Sequence, residues 1–118
     1  MHKTPMGRPK RSDEDRNRMR EIGERLAWVR DIMGLSQNAM ANIVGVTQTA
    51  WGKYELGQRT PDQFEIPRIA AKLKISVPYI LRGCLDDVER EMAIRLAARH
   101  PQLVQNMNKC LDTDTDRS

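Results

Sequence analysis

The amino-acid sequence predicts an all-α protein, and three observations lead to that fold class. Apolar residues recur three and four apart along most of the chain. Serine and threonine stand where helices would begin, and glycine where they would end. Aromatic residues are few, two Trp, two Tyr and one Phe, so the core must be built from Leu, Ile, Val, Met and Ala, a composition that favours helices. At 118 residues the chain has room for one compact core with tails and hardly for two.

Residues 1–12 hold two prolines and a glycine without apolar periodicity. They bury too little surface to order themselves and read as a flexible basic arm. From about Asp13 a first helix is expected, with acids in its first turn and Ile22, Leu26, Val29 and Met33 at helical spacing until Gly34 stops it. Trp28 and Ile32 form a further i, i+4 pair on another face, so something else must cover that helix.

Between Leu35 and Gly57 lie two short helical patterns hinged at Gly45. Ser36 can cap the first, with Ala39, Met40 and Ile43 inward; Thr47 can cap the second, with Ala50, Trp51 and Tyr54 inward. Gln48, Thr49, Gly52 and Lys53 are left as a small polar outward face. After a turn at Arg59–Asp62, Phe64, Ile66, Ile69, Ala70 and Leu73 make a fourth helix starting near Glu65 or Ile66, which puts Pro67 in its first turn. Ser76 caps a short fifth helix carrying Val77, Ile80 and Leu81, stopped by Gly83. Residues 13–83 thus read as one helical domain. Residues 84–111 read as a helical extension: Leu85, Val88, Met92 and Leu96 mark a sixth helix to about Arg99, and Leu103, Val104, Met107 and Leu111 a short seventh. Residues 112–118 are a polar tail expected to be disordered.

Charge is unevenly spread. Residues 1–20 carry seven bases against three acids, 58–83 five against two, and 84–118 five against seven. The net +4 permits a polyanionic partner. Cys84 and Cys110 lack ligand-type spacing and do not cluster with His2 or His100, so neither a metal site nor a disulfide is expected. No apolar run is long enough to span a bilayer, and the basic, polar start lacks the apolar core of a signal peptide. The setting expected is soluble, reducing and cytoplasmic. No nucleophile–base pair, phosphate loop or metal cluster is visible, so neither an enzyme nor a cofactor is expected.

In this order, Leu35-Ser36-Gln37, Ala41, Gly45-Val46-Thr47, Trp51, Tyr54-Glu55 and Gly57, followed by Arg59, Pro61, Ile69-Ala70, Leu73 and Leu81, the residues resemble the phage repressor and Cro type of helix-turn-helix DNA-binding domain, also called the xenobiotic-response-element type. The resemblance covers roughly Ile22 to Gly83. It implies a five-helix lambda-repressor-like bundle whose third helix enters the major groove of double-stranded DNA, in a bacterial or phage-encoded protein working on the nucleoid. Position by position, it assigns base contacts to Gln48, Thr49 and Lys53. A glutamine amide suits adenine, a lysine suits guanine, and a threonine methyl suits thymine; for Lys53 a phosphate contact remains open. It assigns phosphate contacts to Gln37, Thr47, Arg59 and Thr60, with Arg68 and Lys72 as candidates on the same flank, and a structural ion pair to Arg30 and Glu55.

Two residues depart from the family pattern. Trp51 stands where a branched aliphatic side chain is usual, and Gly52 interrupts the recognition helix. In the arm, Gly7-Arg8-Pro9 with Lys10 and Arg11 resembles an AT-hook core, which places arginine in a narrow minor groove; simple counterion-release attraction is the alternative. The functional expectation is a sequence-specific transcriptional regulator, in the first place a repressor, acting as a homodimer on a two-fold operator. Residues 84–111 would contribute to the dimer or cover Trp28 and Ile32 within one subunit. The alternative is the antitoxin of a toxin-antitoxin pair, with the acidic C-terminal third binding a partner protein. From the length, inactivation through the self-cleaving domain of long phage repressors is not expected.

Overall fold

A computed structural model describes residues 12–105 and Cys110. Arg8, Lys10 and Arg11 of the arm, Met107, Leu111 and the acidic tail lie outside the described residues. Among the described residues seven helices follow one another: α1 (Asp13–Met33), α2 (Gln37–Val44), α3 (Gln48–Glu55), α4 (Glu65–Leu73), α5 (Val77–Arg82), α6 (Arg90–Arg99) and α7 (Gln102–Gln105).

Their ends follow from local chemistry. Ser12, Ser36, Thr47 and Ser76 each accept a hydrogen bond from the backbone N–H three residues on, at 3.0–3.1 Å, satisfying a donor that the first helical turn leaves unpaired. Gly34, Gly45 and Gly83 stop α1, α2 and α5 in the left-handed region. The start of α4 is built differently. The Asp62 carboxylate accepts from the N–H groups of Phe64 and Glu65, while the Glu65 carboxylate accepts from the Asp62 N–H, a reciprocal arrangement like a capping box.

The core gathers Leu26 and Val29 from α1, Met40 and Val44 from α2, Trp51 and Tyr54 from α3, Ile69 and Leu73 from α4, and Tyr79 and Ile80 from α5. The observed faces differ in detail from expectation. In α2 the buried set is Met40, Ala41 and Val44, and Ile43 is exposed, because α2 meets α3 and α4 through a face rotated by one residue. Phe64 stands outside the first turn of α4 and is 75% exposed. In α5 the buried partner of Ile80 is Tyr79, whose hydroxyl donates to the Arg25 carbonyl, and Leu81 faces out.

The extension belongs to the same core. Leu96 of α6 and Leu103 of α7 are fully buried in it, and the ring of His100 stacks on Trp28 at 4.1 Å while Arg99 pairs with Asp31. The additional face of α1 is therefore covered within one chain. The sixth helix starts later than its apolar spacing predicts. Asp87 is left-handed, with φ 64°, and the Glu89 N–H is tied to the Lys74 carbonyl, so residues 85–89 form a turn that still lays Leu85 and Val88 against the core.

The expectation of unpaired cysteines is overturned: Cys84 and Cys110 form a disulfide across a Cα–Cα distance of 6.1 Å. Linear spacing carried no trace of it, because only the return of the chain past α5 brings the two together.

The bundle also depends on a contact without side chains. Gly23 lies where α1 crosses the end of α3, and a Cβ there would stand 2.7 Å from the Glu55 carbonyl oxygen and close to that of Tyr54. Gly23→Ala is expected to destabilise the fold by about 3 kcal/mol, since neither backbone can yield without parting the helices; an unchanged denaturant midpoint would contradict this. Reducing Cys84–Cys110 opens a 26-residue separation and should lower stability by about 2–4 kcal/mol. Coincident urea curves with and without reductant would show that the bridge constrains nothing.

Candidate nucleic-acid interface

The turn between α2 and α3 is short because Gly45, with φ 83°, reverses the chain and Thr47 caps the next helix at once. Burial of Met40, Val44, Ala50, Trp51 and Tyr54 then fixes the angle between the two helices. The opposite face of α3 is left to solvent. Gln48, Thr49 and Lys53 are all exposed on it, so the three residues expected to read bases share one surface.

The orientation of α3 is set by a single carboxylate. Glu55 ends the helix with its side chain 7% exposed, and four donors from three helices converge on it. Arg30 of α1 donates through Nε to Oε2 at 2.6 Å and through Nη2 to Oε1 at 3.1 Å. Gln37 of α2 donates to Oε1 at 2.9 Å, and the Trp51 indole N–H donates to Oε2. Each oxygen thus has two partners, the capacity of an ionised carboxylate. Burial alone would push the Glu55 carboxyl up. The hydrogen bonds from Arg30, Gln37 and Trp51, with the Arg30 charge, outweigh it and hold the group below the usual carboxylate range. Its hydrogen bond to Glu55 in turn raises the Arg30 guanidinium, which also donates to the Leu35 carbonyl at the entry to α2.

Trp51 fits where a smaller aliphatic was expected because its polar edge has a partner. The ring is fully buried edge-on to Tyr54 at 6.1 Å, with its N–H on Glu55. Tyr54 donates to Glu65 of α4 at 2.9 Å; burial first, and then that hydrogen bond, push its hydroxyl up to about 12, so it remains a donor at neutral pH. The Arg59 guanidinium lies 5.8 Å from the centre of the Tyr54 ring, a cation–π distance. The chain reaches Arg59 through Gly57, which has φ 74° and packs on the backbone of Arg20.

Of the residues expected to meet phosphates, Thr47 and Arg59 are exposed, and Gln37 and Thr60 are half-buried. Gln37 has a task that sequence reading missed. One amide hydrogen is committed to Glu55, while the amide has a second to offer. Thr47 likewise accepts from Ala50 and keeps its own O–H to donate. Arg68 and Lys72 stand one turn apart, exposed on α4. Among the described residues no group of potential metal ligands gathers, and no helix is long and apolar enough to cross a membrane.

Two helices meeting at a tight turn, the second presenting a polar exposed face, define a helix-turn-helix domain, a DNA-binding fold. The sequence pattern of the helix-turn-helix domain family matches residues 23–84, and the chain belongs to that family, in its phage repressor-like branch. It is 38% identical over 62 residues to the SPbeta prophage-derived HTH-type transcriptional regulator YonR of Bacillus subtilis, covering 52% of this chain and 57% of that protein. It is 33% identical over 76 residues to the cryptic phage CTXphi transcriptional repressor RstR of Vibrio cholerae, covering 64% and 68%. A third relative, the HTH-type transcriptional regulator YqaE of Bacillus subtilis, is 38% identical over 62 residues, covering 52% and 53%. The chain thus spans little more than half the length of the two Bacillus relatives.

The Glu55 cluster makes a pH-dependent prediction. Because the folded carboxyl titrates below its unfolded value, its stabilisation is complete above the unfolded pKa of about 4.3 and is lost as pH falls through the folded pKa. Glu55→Gln should cost about 3 kcal/mol at pH 7, where it strands Arg30. The gap to wild type should close in acid. A gap that stays constant from pH 7 to pH 3 would show that the charge does not carry the effect.

Proposed function

We propose that the protein is a sequence-specific transcriptional regulator, in the first place a repressor, that binds an operator as a two-fold dimer with α3 in the major groove of each half-site. The observation that carries this reading is the exposed Gln48, Thr49 and Lys53 face on a helix whose orientation is fixed from three sides through Glu55. A rigid polar edge of that size matches base-edge readout, with Gln48 suited to adenine, Thr49 to a thymine methyl and Lys53 to guanine or a phosphate.

Around it stand the groups that would hold the sugar-phosphate backbone: the free amide hydrogen of Gln37, the Thr47 hydroxyl, Arg59 and Thr60, with Arg68 and Lys72 beyond. The names of the relatives, two transcriptional regulators and a phage repressor, support regulation over neutralisation of a toxin. The extension buries Leu96 and Leu103 in the common core and leaves Ile94 and Val104 exposed, an outer side that it could offer to a dimer. Such a protein works where the DNA is, in a bacterial cytoplasm, and the Cys84–Cys110 bridge departs from the reducing setting expected there.

Selection from random duplex DNA tests the reading. The expected result is one motif of two inverted half-sites with centres about 10 base pairs apart; enrichment of no motif would sink it. On the selected site, Gln48→Ala should weaken binding by about 1–3 kcal/mol and relax preference at one base pair per half-site. A loss spread evenly over all sequences would remove Gln48 from the reading edge.

A further inference from the structure

Gly52 is the place on the outward face of α3 where the chain omits a side chain, and nothing among the described residues requires the omission. The position lies inside the helix and outside the left-handed region. A methyl group built on its Cα would meet Gln37 Oε1 at 3.6 Å, ordinary van der Waals contact. Gly23 and Gly57 differ, since a Cβ there would run into backbone at 2.7–2.8 Å. Alanine at 52 would fit and would strengthen the helix, because glycine is among the poorest helix formers. The fold therefore forgoes stability at this position.

The surroundings indicate what is gained. Gln48 and Thr49 lie one turn before Gly52 on the same face and Lys53 beside it, all exposed, while the Gln37 amide, held by Glu55, borders the other side. Among these polar groups the missing side chain leaves a notch floored by the Gly52 Cα. In the major groove, base edges carry hydrogen-bonding atoms and a single apolar group, the C5-methyl of thymine. A shallow apolar notch with polar walls fits that group.

We propose that Gly52 is a specificity-determining position whose notch receives a thymine C5-methyl at one base pair of each half-site. This rests on the reading of α3 as the major-groove helix. It adds a second methyl-reading position beside the one suited to Thr49, since no hydrogen bond from the polar residues separates thymine from uracil.

The test uses the full chain and the duplex it selects from random DNA, with each thymine replaced in turn by deoxyuridine, which removes only the methyl. For the wild type, replacement at one thymine per half-site, other than any whose methyl meets Thr49, should weaken binding about fourfold, the worth of one buried methyl. Gly52→Ala should raise the thermal midpoint by a few degrees, weaken binding to the thymine operator about tenfold, and bind the thymine and deoxyuridine duplexes alike at that position. Wild-type indifference to deoxyuridine at every thymine overturns the proposal. So does a Gly52→Ala protein that keeps wild-type affinity and preference, or one whose thermal midpoint falls. In those cases the selected motif still stands and only the role of Gly52 is lost. If the wild type selects no motif, the operator reading falls and this proposal with it.

Discussion

Everything that presents α3 converges on the carboxylate of Glu55. A buried charge is costly unless each of its lone pairs is matched. Here the matching donors come from α1, α2 and α3 itself, so satisfying one group fixes three helices relative to one another. Apolar packing of Met40, Val44 and Trp51 supplies most of the cohesion, but it is non-directional. The hydrogen bonds to Glu55 add direction, which packing alone does not supply to α3.

Around that point the chain is shaped by close approach. α1 passes the end of α3 at Gly23, and the loop after α3 lies on Arg20 at Gly57. These glycines are contacts between backbones, whereas Gly34, Gly45 and Gly83 are terminators. On its other side α1 is held by the extension, through Leu96, Leu103 and the Trp28–His100 stack, with Cys84–Cys110 closing the segment. α1 thus serves both as the wall behind α3 and as the floor for the C-terminal helices.

The helices were legible because their punctuation is local. Ser36, Gly45, Thr47, Ser76 and Gly83 act within a turn of where they stand. The Arg30–Glu55 pair was legible only through the family resemblance, and the residues that complete the cluster were not. Trp51 lies four residues before Glu55 on one helix, a spacing open to inspection, but Gln37 reaches it only after the turn has formed. The face misassigned in α2, where Ile43 was expected inward, reflects a short helix in which eight residues give too little periodicity to fix a direction. Phe64 was counted among the residues that make the fourth helix, and the reciprocal Asp62–Glu65 cap sets it just before the first turn. The disulfide was invisible because it depends on the path of twenty-six residues.

Glu55 couples α1 to α2 and α3. Arg30 and Gln37 share it without a hydrogen bond to each other, so their coupling reports directly on the cluster. A double-mutant cycle of Arg30→Met and Gln37→Met, measured by urea unfolding, should be non-additive by at least about 0.5 kcal/mol and become additive when repeated in Glu55→Gln. Additivity in the wild-type background would mean that the carboxylate does not join the helices and that packing alone orients α3.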